Sequence, residues 1–215
     1  MGPRVKVCCI TSVEEMRAAV ACGAAAVGLV SEMPSGPGVI AEGLIAEIAA
    51  RVPPPVATFL LTCARDAAPI VGQQRRCRTN TLQLCDRVSA GVYGELRARL
   101  PGVSLVQVVH VTGEESFGEA MEAARHADAL LLDSGNPALA VKELGGTGRT
   151  HDWGVSRSVV ADSPVPVFLA GGLRPENVAG AVAAVRPFGL DVCSGVRTGG
   201  RLDAEKLKRF FAHTL

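Results

Sequence analysis

The chain has 215 residues, 48% of them hydrophobic, with a formal net charge of +1 and seven cysteines. That length fits one domain over residues 1–215, at the lower end of the range for a (β/α)8 barrel, and the balanced charge without a long Lys/Arg run argues against a nucleic-acid partner. No signal peptide opens the sequence and no apolar run approaches the ~18 residues of a membrane span, while an odd cysteine count without CxxC or Cys/His spacing points to reduced thiols in the cytoplasm and to no metal site.

Short apolar, β-branched runs alternate with helical patterns along the chain. Val5 to Cys8 is the first expected strand. Thr11 or Ser12 then opens a helix with capping-box spacing to Glu14 or Glu15, and Gly23 is a natural stop. Strand–helix units follow at 25–30 and 40–50, then at 56–61 and 65–74. The basic cluster Gln73 to Arg78 is expected to be a solvated helix end. Further units fall at 81–85 and 89–99, at 104–110 and 114–125, and at 129–133 and 152–161. Strand 167–170 precedes helix 175–185, whose Pro175 suits a first turn. Strand 191–194 and helix 203–213 complete the series. Eight such units imply parallel strands joined by helical crossovers, and in this length they imply a closed single (β/α)8 TIM barrel. A doubly wound open sheet is the competing architecture. The longest stretch without an element, Ser134 to Thr150, is long enough to be functional.

In a barrel of this kind the site lies at the C-terminal ends of the strands. There the sequence offers Cys8-Cys9, Asp133, Ala170-Gly171-Gly172 and Cys193-Ser194-Gly195, with Gly145-Gly146-Thr147-Gly148 after the sixth strand. Glycine lets backbone N–H groups approach and cradle an anion. One such loop is weak evidence, because flexible turns look the same. Three after the sixth, seventh and eighth strands point to a phosphate. Gly146, Thr147, Gly148, Gly171, Gly172, Ser194 and Gly195 are the candidates.

These motifs carry a resemblance. Lys6-Val7-Cys8-Cys9-Ile10-Thr11, the Gly145 to Gly148 run followed by Asp152-Trp153, Leu169 to Val178 (LAGGLRPENV) and Asp191 to Arg197 (DVCSGVR) resemble, in order along the chain, the motifs of phosphoribosylanthranilate isomerases. The resemblance implies a cofactor-independent aldose–ketose isomerase in tryptophan biosynthesis. Its reaction is an Amadori rearrangement of a phosphorylated sugar-amine, with Cys8 as general base and Asp133 as general acid. Strand alternation puts Lys6 on the face of Cys8, where its charge favours the thiolate, although Asp191 is placed to neutralise it. Asp133 follows three leucines at the end of an apolar strand. Against these roles, a strand cysteine is more often a small buried hydrophobe and a strand-end Asp is often a helix cap.

The sequence departs from the family at the amine end of the site. Pro37 stands where the family has an Arg for the anthranilate carboxylate. Cys85, in Gln83-Leu84-Cys85-Asp86, replaces a His; His151 replaces a Phe; Arg197 replaces a Glu; and Cys9 replaces a Gly. Alternation places Cys9 toward the helix layer. Lys6, Gln83, Cys85 and Arg197 are further substrate-site candidates, with Arg197, His151 or Arg149 as stand-ins for the missing Arg. Two other readings stay open: the same rearrangement on another amine, and a phosphosugar-binding protein without turnover. The expected assembly is a monomer or homodimer, with no membrane partner.

Overall fold

The structure, a computed structural model, describes residues 2–136, 138–145 and 148–214. Strands β1 (Arg4–Val7), β2 (Ala26–Val30), β3 (Ala57–Thr62), β4 (Thr81–Leu84), β5 (Ser104–His110), β6 (Ala129–Asp133), β7 (Val167–Leu169) and β8 (Gly189–Val192) close into a parallel barrel in chain order. The open-sheet alternative fails at the seam, where β1 pairs with β8 from Arg4↔Gly189 through Lys6↔Asp191 to Val7↔Val192. Helices α1 (Val13–Ala21), α2 (Glu42–Ala49), α3 (Ala67–Cys77), α4 (Ala90–Arg99), α5 (Glu115–Ala124), α6 (Trp153–Asp162), α7 (Val178–Val185) and α8 (Ala204–Ala212) form the outer layer. A two-stranded ribbon, β9 (Arg197–Thr198) and β10 (Arg201–Leu202), precedes α8. Among the described residues, no helix is long and apolar enough to cross a membrane.

Strand alternation divides the core in two. Val5, Val7, Val27, Leu29, Leu60, Leu82, Leu84, Leu130 and Leu132 point outward and pack under the helices. Ala26, Phe59, Leu61, Val106, Val108, Ala129, Leu131 and Phe168 fill the barrel. The inward set is of mixed size, as interdigitating layers require. Lys6 shares that interior, fully buried, with its Nζ 5.2 Å from the Phe59 ring centroid.

Local signals set most boundaries. Ser12 caps α1 by accepting from Glu15 N at 3.2 Å, but the Glu15 carboxylate turns to Thr11 and Arg197 instead of closing the box on Ser12. The expected Pro175 first turn is corrected: α7 begins at Val178 behind Asn177. Asn177 Oδ1 accepts from Arg174 N at 2.8 Å and its Nδ2 donates to Gly172 O at 2.9 Å, so residues 174–177 form a side-chain-tied turn. At the basic end of α3, Arg76 pairs with Glu42 of the neighbouring helix region, as a solvated helix end can.

Candidate active site

The C-terminal mouth of the barrel is a cleft, partly open to solvent, lined by Cys8, Gln83, Cys85, Asp133, Asp191 and the loops above them. Inward parity puts these side chains there. Lys6 and Asp191 are register partners on β1 and β8, one layer below Cys8. Asp133 ends β6, opposite His110 of β5.

Lys6 Nζ lies 2.9 Å from Asp191 Oδ2 and donates to Cys8 Sγ at 3.5 Å. Burial works against the Lys6 charge, but Asp191 and Cys8 outweigh it and hold the ammonium above its usual range. Burial also pushes Asp191 up, partly countered by Lys6. Cys8 is held below the ordinary thiol range, first by the Cys9 thiol beside it and also by the Lys6 ammonium, against burial and Asp191. A lone thiol in this dry layer would move the other way, as Cys85 does, pushed up by burial. Asp133, 8% exposed, takes a hydrogen bond from its neighbour's amide, Ser134 N to Oδ1, at 2.7 Å. Among the described residues, buried Asp191 Oδ1 and Gln83 Oε1 have no hydrogen-bond partner, so two acceptors face the cleft for a ligand's donors.

Two glycines give the site its room. A Cβ on Gly28 of β2 would lie 2.7 Å from Cys8 Sγ, and one on Gly145 would lie 2.5 Å from Asp133 Oδ2. Periodicity does not single out Gly28; its signal is a glycine inside an otherwise apolar strand, AVGLV, which marks close approach. Above, the loop after β6 crosses the mouth. Ser35 Oγ donates to Lys142 O at 2.6 Å, and Lys142 pairs with Asp86 beyond β4.

Of the anion-cradle candidates, Gly148, Gly171, Gly172 and Ser194 line the cleft. Gly195 instead packs its α-carbon against the Leu173 carbonyl. Gly146 and Thr147 lie outside the described residues. The other candidates divide. Gln83 and Cys85 line the cleft, and Lys6 lies beneath it. Arg197 does not face it. Its side chain, 7% exposed, pairs with Glu15 at 3.0 Å and donates to the carbonyls of Cys8, Cys9 and Gly200. The expectation that it meets a substrate carboxylate is therefore corrected: Glu15, left over from the capping box, draws it inward. Of the remaining stand-ins, Arg149 pairs with Glu143, and His151 Nε2 lies 2.7 Å from Ser156 Oγ, its charged form disfavoured by burial.

Cys9 is a second correction. The strand ends at Val7, so alternation no longer governs it. With φ of +61° it turns into the interior cluster, its Sγ 2.7 Å from Cys193 Sγ. Glycine, the family's residue in this place, takes that φ without strain.

Fold and mouth together define a (β/α)8 barrel in which a thiol and a carboxylate share one cleft under glycine-bearing loops. The profile of the N-(5'-phosphoribosyl)anthranilate (PRA) isomerase family matches residues 5–213, and the chain belongs to that family. An N-(5'-phosphoribosyl)anthranilate isomerase of Methanocella arvoryzae is 35% identical over 97% of this chain and 95% of its own length. One of Haloarcula marismortui is 40% identical over 96% and 94%. Among solved structures, the Thermotoga maritima enzyme aligns with a TM-score of 0.84 at 29% identity, covering 99% of this chain and 98% of that one; another of its structures describes the protein as dimeric. A phosphoribosylanthranilate isomerase in complex with reduced 1-(o-carboxyphenylamino)-1-deoxyribulose 5-phosphate aligns with a TM-score of 0.80 at 27% identity, covering 99% and 98%.

Proposed function

We propose that this chain isomerises N-(5'-phosphoribosyl)anthranilate to 1-(o-carboxyphenylamino)-1-deoxyribulose 5-phosphate, with Asp133 as general acid and Cys8 as general base. Asp133 delivers a proton to the furanose ring oxygen; the C1′–O bond breaks and a Schiff base forms with the amine nitrogen. Cys8 thiolate removes the C2′ proton, and the resulting enolamine relaxes to the amino-ketose. One acid and one base of matched pKa suffice for an aldose–ketose shift, which asks for no cofactor. The observation that carries this reading is the Lys6–Cys8 contact at 3.5 Å in the same cleft as Asp133. It gives a buried thiol a reason to be ionised.

Gly148, Gly172 and Ser194 line the cleft, and backbone N–H groups of such glycine-bearing loops suit the phosphate. Asp191 Oδ1 and Gln83 Oε1 suit donors on the sugar-amine. The relatives' shared substrate favours anthranilate over another amine, and an acid–base pair kept in one cleft weighs against a binding protein without turnover. The assembly is a monomer or, as described for the Thermotoga maritima relative, a dimer. All seven cysteines are unbridged, which suits the reducing cytoplasm.

The test is to add purified protein to freshly made phosphoribosylanthranilate and follow the anthranilate fluorescence. Turnover in the unmodified protein and its loss in Asp133→Asn, whose amide has no acidic proton to give, support the assignment. Undiminished turnover in Asp133→Asn removes Asp133 as the acid.

A further inference from the structure

We propose that Cys9 and Cys193 form a modification site of their own: a dithiol at the rim of the cleft that hydroperoxides oxidise reversibly to a disulfide joining the ends of β1 and β8. The isomerase chemistry uses neither sulfur to hold or move a proton of the substrate. Yet the two atoms lie 2.7 Å apart although the residues are separated by 184 positions. A disulfide bond measures about 2.05 Å, so closure asks for a displacement of less than an ångström. Three features hold the geometry. Arg197 donates to the carbonyls of both Cys8 and Cys9 and is itself anchored by Glu15, which fixes the backbone turn that presents Cys9. Cys9 adopts its left-handed φ of +61°, which turns the sulfur off the strand face and toward β8. The β1–β8 register, ending at Val7↔Val192, brings the two strand ends level.

The two thiols differ in access. Both line the cleft, but Cys193 is partly exposed, whereas Cys9 is buried and packed against Gly38 of the loop after β2. Peroxide therefore meets Cys193 first. Its sulfur attacks one peroxide oxygen, the O–O bond breaks, and the departing hydroxide takes the thiol proton to leave as water, so Cys193 becomes a sulfenic acid. Cys9 sulfur then attacks Cys193 sulfur and expels hydroxide, which takes the Cys9 proton and leaves as a second water. Two electrons pass from the thiols to one peroxide. A low-molecular-weight thiol reverses the link by exchange.

The consequence falls on the neighbouring base. In the reduced protein the Cys9 thiol supports the Cys8 thiolate; a disulfide sulfur has no hydrogen to give. The link also ties down the segment that leads into Ser194. Oxidation is thus expected to lower turnover, an activity readout that rests on the proposed isomerase reaction, whereas the link itself is read by mass alone.

The experiment treats the intact protein with hydrogen peroxide, alkylates remaining thiols under acid, and maps the peptides without reduction. The same samples are assayed on phosphoribosylanthranilate before and after dithiothreitol. Cys193→Ser is the control, since serine keeps nearly the size of the side chain without an oxidisable sulfur and the isomerase chemistry does not use this thiol, so its basal activity should match the unmodified protein. The proposal expects a Cys9–Cys193 peptide pair lighter by two hydrogens. Activity should fall in proportion to the linked fraction and return with dithiothreitol, and Cys193→Ser should keep its activity under the same peroxide. Absence of the linked pair, fragmentation that places the bond on Cys8, or equal inactivation of Cys193→Ser with Cys8 oxidised would each overturn it. A protein inactive on phosphoribosylanthranilate that still forms the link would count against the isomerase reading and leave the dithiol standing.

Discussion

The proposed role of Cys8 as base depends on what touches it. Burial alone would keep the thiol protonated, and the Cys9 thiol and Lys6 ammonium reverse that. Replacing Cys8 by Ser removes an ionisable base and is expected to lower kcat by roughly 10²–10⁴-fold. Binding of inorganic phosphate, measured by calorimetry, should stay unchanged because the glycine loops are untouched. The pH dependence has a definite sign. The base must be deprotonated, so kcat/KM rises as pH passes upward through the folded Cys8 pKa. Because that pKa is lowered, the rise should be centred below the ordinary thiol value of about 8.5. A midpoint at or above it would show that Cys8 is not the titrating base. Gly28 acts on the same sulfur by leaving space. Gly28→Ala would place a methyl 2.7 Å from Cys8 Sγ. Displacing a reacting atom by this order is expected to cost roughly 10- to 100-fold in kcat with little change in KM. If kinetics of the variant match the unmodified protein, the sulfur has room to spare and the packing argument fails.

At the scale of elements, the proposed reaction leaves the amine end of the substrate to the loops after β2 and β6. They meet over the mouth through Ser35 and the Lys142 carbonyl, and Pro37 lines the cleft where the family resemblance places an Arg. The nearby cations are engaged: Arg197 with Glu15, Arg149 with Glu143 and Lys142 with Asp86. A bidentate Arg–carboxylate contact contributes about 1.5–3 kcal/mol, tenfold or more in affinity. Pro37→Arg is therefore expected to lower KM for phosphoribosylanthranilate by about tenfold with kcat nearly constant. An unchanged KM, alongside kcat/KM of ~10⁴ M⁻¹s⁻¹ or more in the unmodified protein, would mean that one of the engaged cations releases its partner on binding.

For the whole molecule, the seam between first and last strand is the place where a barrel closes or fails. Register pairs join β1 to β8 along four residues, and Arg197 reinforces the upper end by tying Glu15 of α1 to the carbonyls of Cys8 and Cys9. Glu15 also accepts from Leu202 N at 2.9 Å, which brings in the ribbon before α8. Arg197→Leu would leave a mostly buried carboxylate without its cation. Breaking a fully buried pair costs ~3–5 kcal/mol. Here the Glu15 side chain keeps 15% exposure, and a loss of about 2–3 kcal/mol in urea unfolding is expected. A loss below about 0.5 kcal/mol, the level of ordinary surface changes, would contradict the bracing role.

Local patterning along the chain was enough for the barrel and for the chemical groups at its strand ends. Period-2 runs alternating with capped helices are local signals, and eight of them in this length leave few architectures. That Cys8, Asp133 and the glycine loops gather at one mouth was legible because strand parity and strand ends are local properties too, whereas the proposed roles of Cys8 and Asp133 came from the family resemblance. Beyond the reach of such local signals lie the features in which distant segments compete for one group. Arg197 looked like a substrate ligand until Glu15, 182 positions away, took it. Cys9 looked outward by alternation until the strand ended at Val7 and its backbone turned to φ of +61°, which brought its sulfur to Cys193. Asn177 overrode Pro175 as the start of α7 by bonding back to Gly172. Gly28 gained its meaning only when β2 was laid against β1. In each case a residue's role was set by a partner far along the chain, and periodicity carries no information about which partner the folded backbone will bring within reach.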